Sequence, residues 1–210
     1  MNPSVFIYVV DRDYGFAPNP FHGYCTLATC KSRIRNAANV GDWVVGVGGS
    51  RLKATGQCIY AMLVSGKVTY NEYWSSSVYQ VKIPVRNGSQ VMMVGDNIYH
   101  QEEGSGEWMQ VDSHHSKEDG SPNPLNIEKD TRSEYVLLSN HFYYFGKAAP
   151  AIPNKLLAAI KYKNCINHRR FSFAEAHGLI DWIEYEFVHK LNIVISDPFD
   201  FEQSHERYSP

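Results

Sequence analysis

Apolar positions along the chain run first in strand-like blocks and only late at helical spacing. Residues 4–11 (SVFIYVVD) are an unbroken β-branched and aromatic run that predicts a buried strand. Residues 12–23 (RDYGFAPNPFHG) stop it, because their glycines and prolines exclude regular structure. A short helix is expected over 31–38 with Thr29 as its cap, then a Gly41-Asp42 turn into a strand over 43–47. Residues 57–64 (QCIYAMLV) read as another strand and 71–79 as a short helical excursion. Residues 135–139 and 141–145 read as strands joined tightly at Asn140, and 153–162 as a helix with proline in its first turn. Ser172 and Glu175 form a capping box. Ala176, Leu179, Ile180, Ile183, Phe187, Val188 and Leu191 follow it at 3–4 spacing, a stripe that reads as core packing.

These elements show no βαβ alternation, internal repeat, G-x-G-x-x-G or phosphate-binding glycine loop. The expectation is an α+β fold in one domain over 1–210. Its core over 4–150 would be a small, mixed, mostly antiparallel β-barrel. Peripheral helices and the C-terminal amphipathic helix, within 151–195, would pack on it, with a peripheral acidic tail over 196–210. The 210 residues are 43% hydrophobic, enough for a real core. No apolar run approaches the roughly 18 residues a membrane helix needs, and the N-terminus lacks a basic start followed by an apolar stretch. A soluble, cytoplasmic protein is therefore expected.

The formal net charge of −2 conceals blocks: +5 over residues 1–94, −7 over 95–134, +6 over 135–170 and −6 over 171–210. Two basic stretches can converge into one positive surface. Cys25, Cys30, Cys58 and Cys165 match no zinc spacing and read as buried free thiols. A nucleophilic reading is weak: there is no G-x-S-x-G, and Cys25 or Cys30 lies near His22 in sequence only. No metal-ligand pattern is present and no cofactor is expected.

Three segments carry candidate chemistry. Residues 13–24 hold Phe16, Asn19, Phe21, His22 and Tyr24, flat surfaces and an amide suited to an unpaired base. Residues 95–132, polar but for a short apolar stretch at 108–111 and expected to be an ordered functional loop, add Asp96, Asn97 and His114 as base contacts. They also offer His100, Asp112, His114 and His115 as acid–base groups. Lys31, Arg33 and Arg35, with Arg169 and Arg170 from the basic run 161–170, are candidates for phosphate contacts.

The runs YGFAPNPFHGYCTLATCKSRIR (14–35), VGDWVVGVG (40–48), GDNIYH (95–100), DSHHS (112–116) and the strand pair ending Phe145-Gly146 resemble the second type of nucleotide modification associated domain. That bacterial and phage family is linked to hypermodified DNA bases and their counter-systems. More faintly, the helix and V-G-D turn followed by strands resemble EVE and other PUA-like domains, whose barrel holds a modified base. The resemblance implies binding of a modified or flipped nucleobase or nucleotide. The alternative is an enzyme that modifies or hydrolyses a nucleotide or base through the His/Asp-rich loop. Implied partners are nucleic acid or nucleotide, foremost DNA with modified bases, and proteins of modification or defence systems. No membrane partner is expected.

Overall fold

The structure, a computed structural model, describes residues 2–208. In chain order, β1 (Ser4–Val10) and β2 (Cys25–Leu27) precede α1 (Ser32–Ala37). Next come β3 (Trp43–Gly48), β4 (Cys58–Leu63), β5 (Gly66–Thr69), α2 (Tyr70–Ser75) and α3 (Gln90–Met93). The polar stretch then gives β6 (Tyr99–Gln101), β7 (Trp108–Gln110) and α4 (Pro124–Asp130). After β8 (Tyr135–Ser139) and β9 (Phe142–Tyr144), α5 (Asn154–Ala159), β10 (His168–Ser172) and α6 (Phe173–Glu186) complete the chain's regular elements.

The strands form an open five-stranded sheet in the order β10-β1-β3-β4-β9, a three-stranded sheet β2-β8-β5 and a β6-β7 hairpin. Among the described residues no sheet closes, so the expected barrel is not formed; the mixed α+β class stands. Pairing shows why. β1 and β3 are parallel, Val5 opposite Trp43, and need a crossover that carries the proline-rich segment, β2 and α1. β8 and β9 do not form a hairpin at Asn140. β8 pairs with β2 and β5, whereas β9 pairs with β4, so the chain changes sheets there. The basic run ends in β10, an edge strand antiparallel to β1.

The alternation of β1 explains the layers. Val5 and Ile7 face one core with Leu179, Ile180 and Ile183 of α6, whereas Phe6, Tyr8 and Val10 face another with Ile34 and Tyr60. A strand buried on both faces reads as one continuous apolar run. Gly46 lets Tyr60 lie flat on β3, since a Cβ there would collide with its ring. The capping box of α6 forms as expected: Ser172 Oγ accepts from the Glu175 N–H and the Glu175 carboxylate accepts from the Ser172 N–H.

The acidic tail is not peripheral. Phe201 stacks on Phe21 at 5.5 Å. Arg86 donates to the carbonyls of Ser204, His205 and Glu206, and Arg207 makes a forked pair with Asp112 at 2.7 and 2.9 Å. Residues 196–208 thus form a strap along the histidine loop. No helix among the described residues is long and apolar enough to cross a membrane.

Candidate active site

A cavity of about 1100 Å³ opens where the end of β1, the proline-rich segment, the start of α1, the histidine loop and the strap converge. Tyr14, Phe16, Cys30, Lys31, His114, His115 and Tyr208 all line it. Two polar segments separated by some hundred residues therefore meet, through Tyr14 and Phe16 on one and His114 and His115 on the other. Phe16 contacts both histidines edge-on, at 5.3 Å from His114 and 4.8 Å from His115.

At the wall of the cavity three side chains stand in line. Cys30 Sγ is 3.7 Å from His115 Nε2, and His115 Nδ1 is 2.7 Å from Asp130 Oδ2. Asp130 accepts further bonds from the Cys30 N–H at 2.7 Å and the Tyr99 hydroxyl at 3.0 Å. Local sequence sets this up. Asp130 closes α4, whose start is capped by Asn123 ahead of Pro124. Arg35, on α1, donates to the carbonyls of Cys30 at 2.9 Å and Asp130 at 2.6 Å and so ties the two segments together. Cys30 and Lys31 both have positive φ, +55° and +35°. Two consecutive non-glycine residues in that region cost about 1–3 kcal/mol each, a strain typical of functional sites.

The charges are sorted. Burial works against a charged imidazole at His115, but the Asp130 carboxylate and the Cys30 sulfur outweigh it and push His115 up to about 10. Burial alone would raise Asp130, yet His115 and Arg35 hold it below the usual carboxylate range. His114, one residue away, goes the other way: burial, with His115 beside it, pushes it down to about 3. Cations dominate the cavity's lining. Arg12, Lys31, Arg33, Lys129 and Arg132 stand against Asp11 at the rim.

Cys30, His115 and Asp130 are also a set whose donor atoms lie within 4.8 Å of one another. As a metal centre they fit poorly, because the Asp130 oxygens and His115 Nδ1 are already spent on one another, on Tyr99 and on the Cys30 amide. A thiol, imidazole and carboxylate in sequence are suited to nucleophilic catalysis: the carboxylate orients the ring and the ring serves the sulfur.

Several sequence candidates lie elsewhere. Asn19 is buried, donating to the Val94 carbonyl at 2.8 Å and accepting from Lys82 Nζ at 2.6 Å. Asp96 accepts from Thr26 at 2.6 Å and Tyr73 at 2.8 Å, and Asn97 donates to the carbonyls of Tyr73 and Tyr79. These groups form a sealed network around Lys82, outside the cavity lining. Phe21 packs on the strap, Tyr24 on Tyr79, and His22 is exposed at φ +62°. His100 stacks on Trp74 at 4.1 Å, and Asp112 is held by Arg207. Arg35 cannot reach a phosphate, since its guanidinium is buried among carbonyls. Arg170 lies over Phe6 and donates to Ser4 Oγ, Arg169 lies over Phe171, and neither lines the cavity.

Sequence reasoning missed Cys30 as a partner of His115, and also Asp130, Arg12 and Tyr208. The pairing of Cys30 with His22 was rightly set aside as sequence proximity only, but its partner in the fold, a histidine 85 positions away, was not seen. Cys25 and Cys58 are indeed buried and free, but Cys30 and Cys165 are half-buried and line the cavity.

Fold and site together define an α+β protein with a thiol–imidazole–carboxylate line in a basic, aromatic-walled cavity. Residues 2–205 match the family described as nucleotide modification associated domain 2, and the chain belongs to it. No curated protein and no solved structure matches the chain. The family sets the protein among nucleotide modification systems.

Proposed function

We propose that the protein is a thiol-dependent enzyme that acts on a nucleotide, free or within nucleic acid, in a nucleotide modification system. The observation that carries this reading is the alignment of Cys30, His115 and Asp130 on an open cavity, at 3.7 and 2.7 Å. The Cys30 thiolate attacks an electrophilic carbon of the base or of a group attached to it. A carbon–sulfur bond forms, and the leaving group departs with the proton that imidazolium His115 supplies. Neutral His115 then takes a proton from water, whose oxygen displaces the sulfur and releases the product. Asp130 holds the ring throughout. Lys31, Arg33, Lys129 and Arg132 supply positive charge for phosphate, and Tyr14, Phe16 and Tyr208 supply flat surfaces for a base.

Binding of a base without chemistry would use the same walls. It gives no reason for a strained cysteine at φ +55° beside an ion-paired histidine. Iodoacetamide alkylation, read by peptide mass spectrometry on the full chain, separates the two. Cys30 is expected to react at least tenfold faster than half-buried Cys165 at pH 7, and Asp130→Asn is expected to slow Cys30 by at least tenfold. Equal rates at both cysteines, or stoichiometric zinc on Cys30 in metal analysis, would overturn the enzyme reading.

A further inference from the structure

His114 is placed differently from its neighbour. Its Nδ1 lies 2.8 Å from the main-chain carbonyl oxygen of Glu206. A carbonyl can only accept, so Nδ1 carries the proton of this bond. The ring is buried against Tyr14 at 4.3 Å and Phe16 at 5.3 Å, with His115 and Arg12 nearby, surroundings that oppose a second proton. Neutral and with its tautomer fixed, the imidazole has a bare lone pair on Nε2. No bond to that atom is made among the described residues, and the ring lines the cavity.

Tyr208 is fixed beside it by main-chain bonds at both ends. Its N–H donates to the His114 carbonyl at 2.6 Å, and its carbonyl accepts from Asn126 Nδ2 at 2.8 Å. The same Asn126 amide donates to the His115 carbonyl at 2.8 Å. The Tyr208 ring is nearly parallel to that of His114, 14° apart at 6.2 Å, with the Arg12 guanidinium 4.4 Å from its centroid. The strap thus holds an aromatic plane and an acceptor atom in one fixed relation, in the cavity that Cys30 also lines.

We propose that the cavity selects a substrate whose planar base bears an exocyclic amino group, which donates to His114 Nε2 while the base stacks on Tyr208. The proposal deepens the function proposed above and rests on its nucleotide reading. An oxo group in the same place would set lone pair against lone pair, whereas an amino group projects a proton beyond the ring edge. A lone acceptor set among aromatic rings discriminates chiefly by what it leaves unpaired.

The test is isothermal titration of full-length Cys30→Ala protein with the pairs CMP and UMP, and AMP and IMP, which differ by amino against oxo. The amino member of each pair that binds is expected to be about tenfold tighter. In Cys30→Ala/His114→Phe the ring contact is kept and the acceptor lost, so the ratio should fall to within about twofold. Tyr208→Leu should weaken both members alike. Equal affinities before any change at His114, a tighter oxo member, or a preference unaltered by His114→Phe would overturn the proposal, and the first two need no His114 variant to fold. If none of the four binds while Cys30 of the wild-type protein still reacts fast, the nucleotide reading falls and takes this proposal with it.

Discussion

Among the buried polar networks of the described residues, the ones around Lys82 and Asp130 end differently. Around Lys82 both charged groups are answered from within: Nζ donates to Asn19 Oδ1, the Asn19 and Tyr24 carbonyls and Thr26, and Asp96 is held by Thr26 and Tyr73. Burial pushes Lys82 down to about 8, with Asp96 resisting. Around Asp130 the same density of bonds runs outward to a half-buried sulfur on a cavity. Both networks contain the amide, carboxylate and aromatic residues that a base-binding site would need. Composition cannot tell scaffold from site; what separates them is whether the chain of bonds closes on itself or stops at a reactive atom facing open space.

The contrast can be broken in order of expected effect. Lys82→Met removes the cation but leaves Asp96 and Asn19 buried. It is expected to cost about 3–5 kcal/mol and to lower the Tm by roughly 10 °C in calorimetry, while iodoacetamide reacts with Cys30 at the wild-type rate below the transition. Preserved stability would show that the sealed network is not scaffold.

The adjacent histidines predict opposite pH limbs in denaturant unfolding. His115 is raised, so its contribution is complete below its unfolded value near 6.5 and is lost as pH climbs towards about 10. His114 is lowered, so its contribution is complete above about 6.5 and is lost as pH falls towards 3. His115→Gln should remove the alkaline limb and also weaken the acid one, because His115 helps to hold both His114 and Asp130 down, whereas His114→Phe should flatten the acid limb and leave the alkaline one in place. Loss of the alkaline limb in His114→Phe would mean that the two rings titrate as one unit. The smallest effect is expected for exposed His22: His22→Ala should change stability by less than about 0.5 kcal/mol and leave Cys30 alkylation as it was.

Much of the fold was legible because local rules agreed with the tertiary result. The strand β1, the Gly41-Asp42 turn and the capping box of Ser172 and Glu175 each follow from a few neighbouring residues. Sheet membership was not legible. Nothing in residues 135–145 says that β8 and β9 part company at Asn140, since each strand's partners lie more than sixty residues away. The three-residue β2 carries too short a pattern to be seen. The site divided in the same way. The histidine loop and Phe16 were recognisable by residue type, and they do meet. Asn19 and Asp96 drew notice for the same reason and proved to be bonded within the network around Lys82, because type does not reveal whether a polar group is already satisfied. Asp130, at the end of α4, and Tyr208, in the strap, drew none, because only the folded chain brings Asp130 beside Cys30 and Tyr208 beside His115.

The strap is the last part of the described chain to leave the ribosome, and it brings the Glu206 carbonyl and the Tyr208 ring that flank His114. A polypeptide cut short after α6 would already own its cysteine, imidazole and carboxylate, but nothing would dictate which nitrogen of His114 holds hydrogen. Residues 204–208 therefore reach the cavity only after its cysteine, imidazole and carboxylate have been made, and they alone tie down the tautomer of His114.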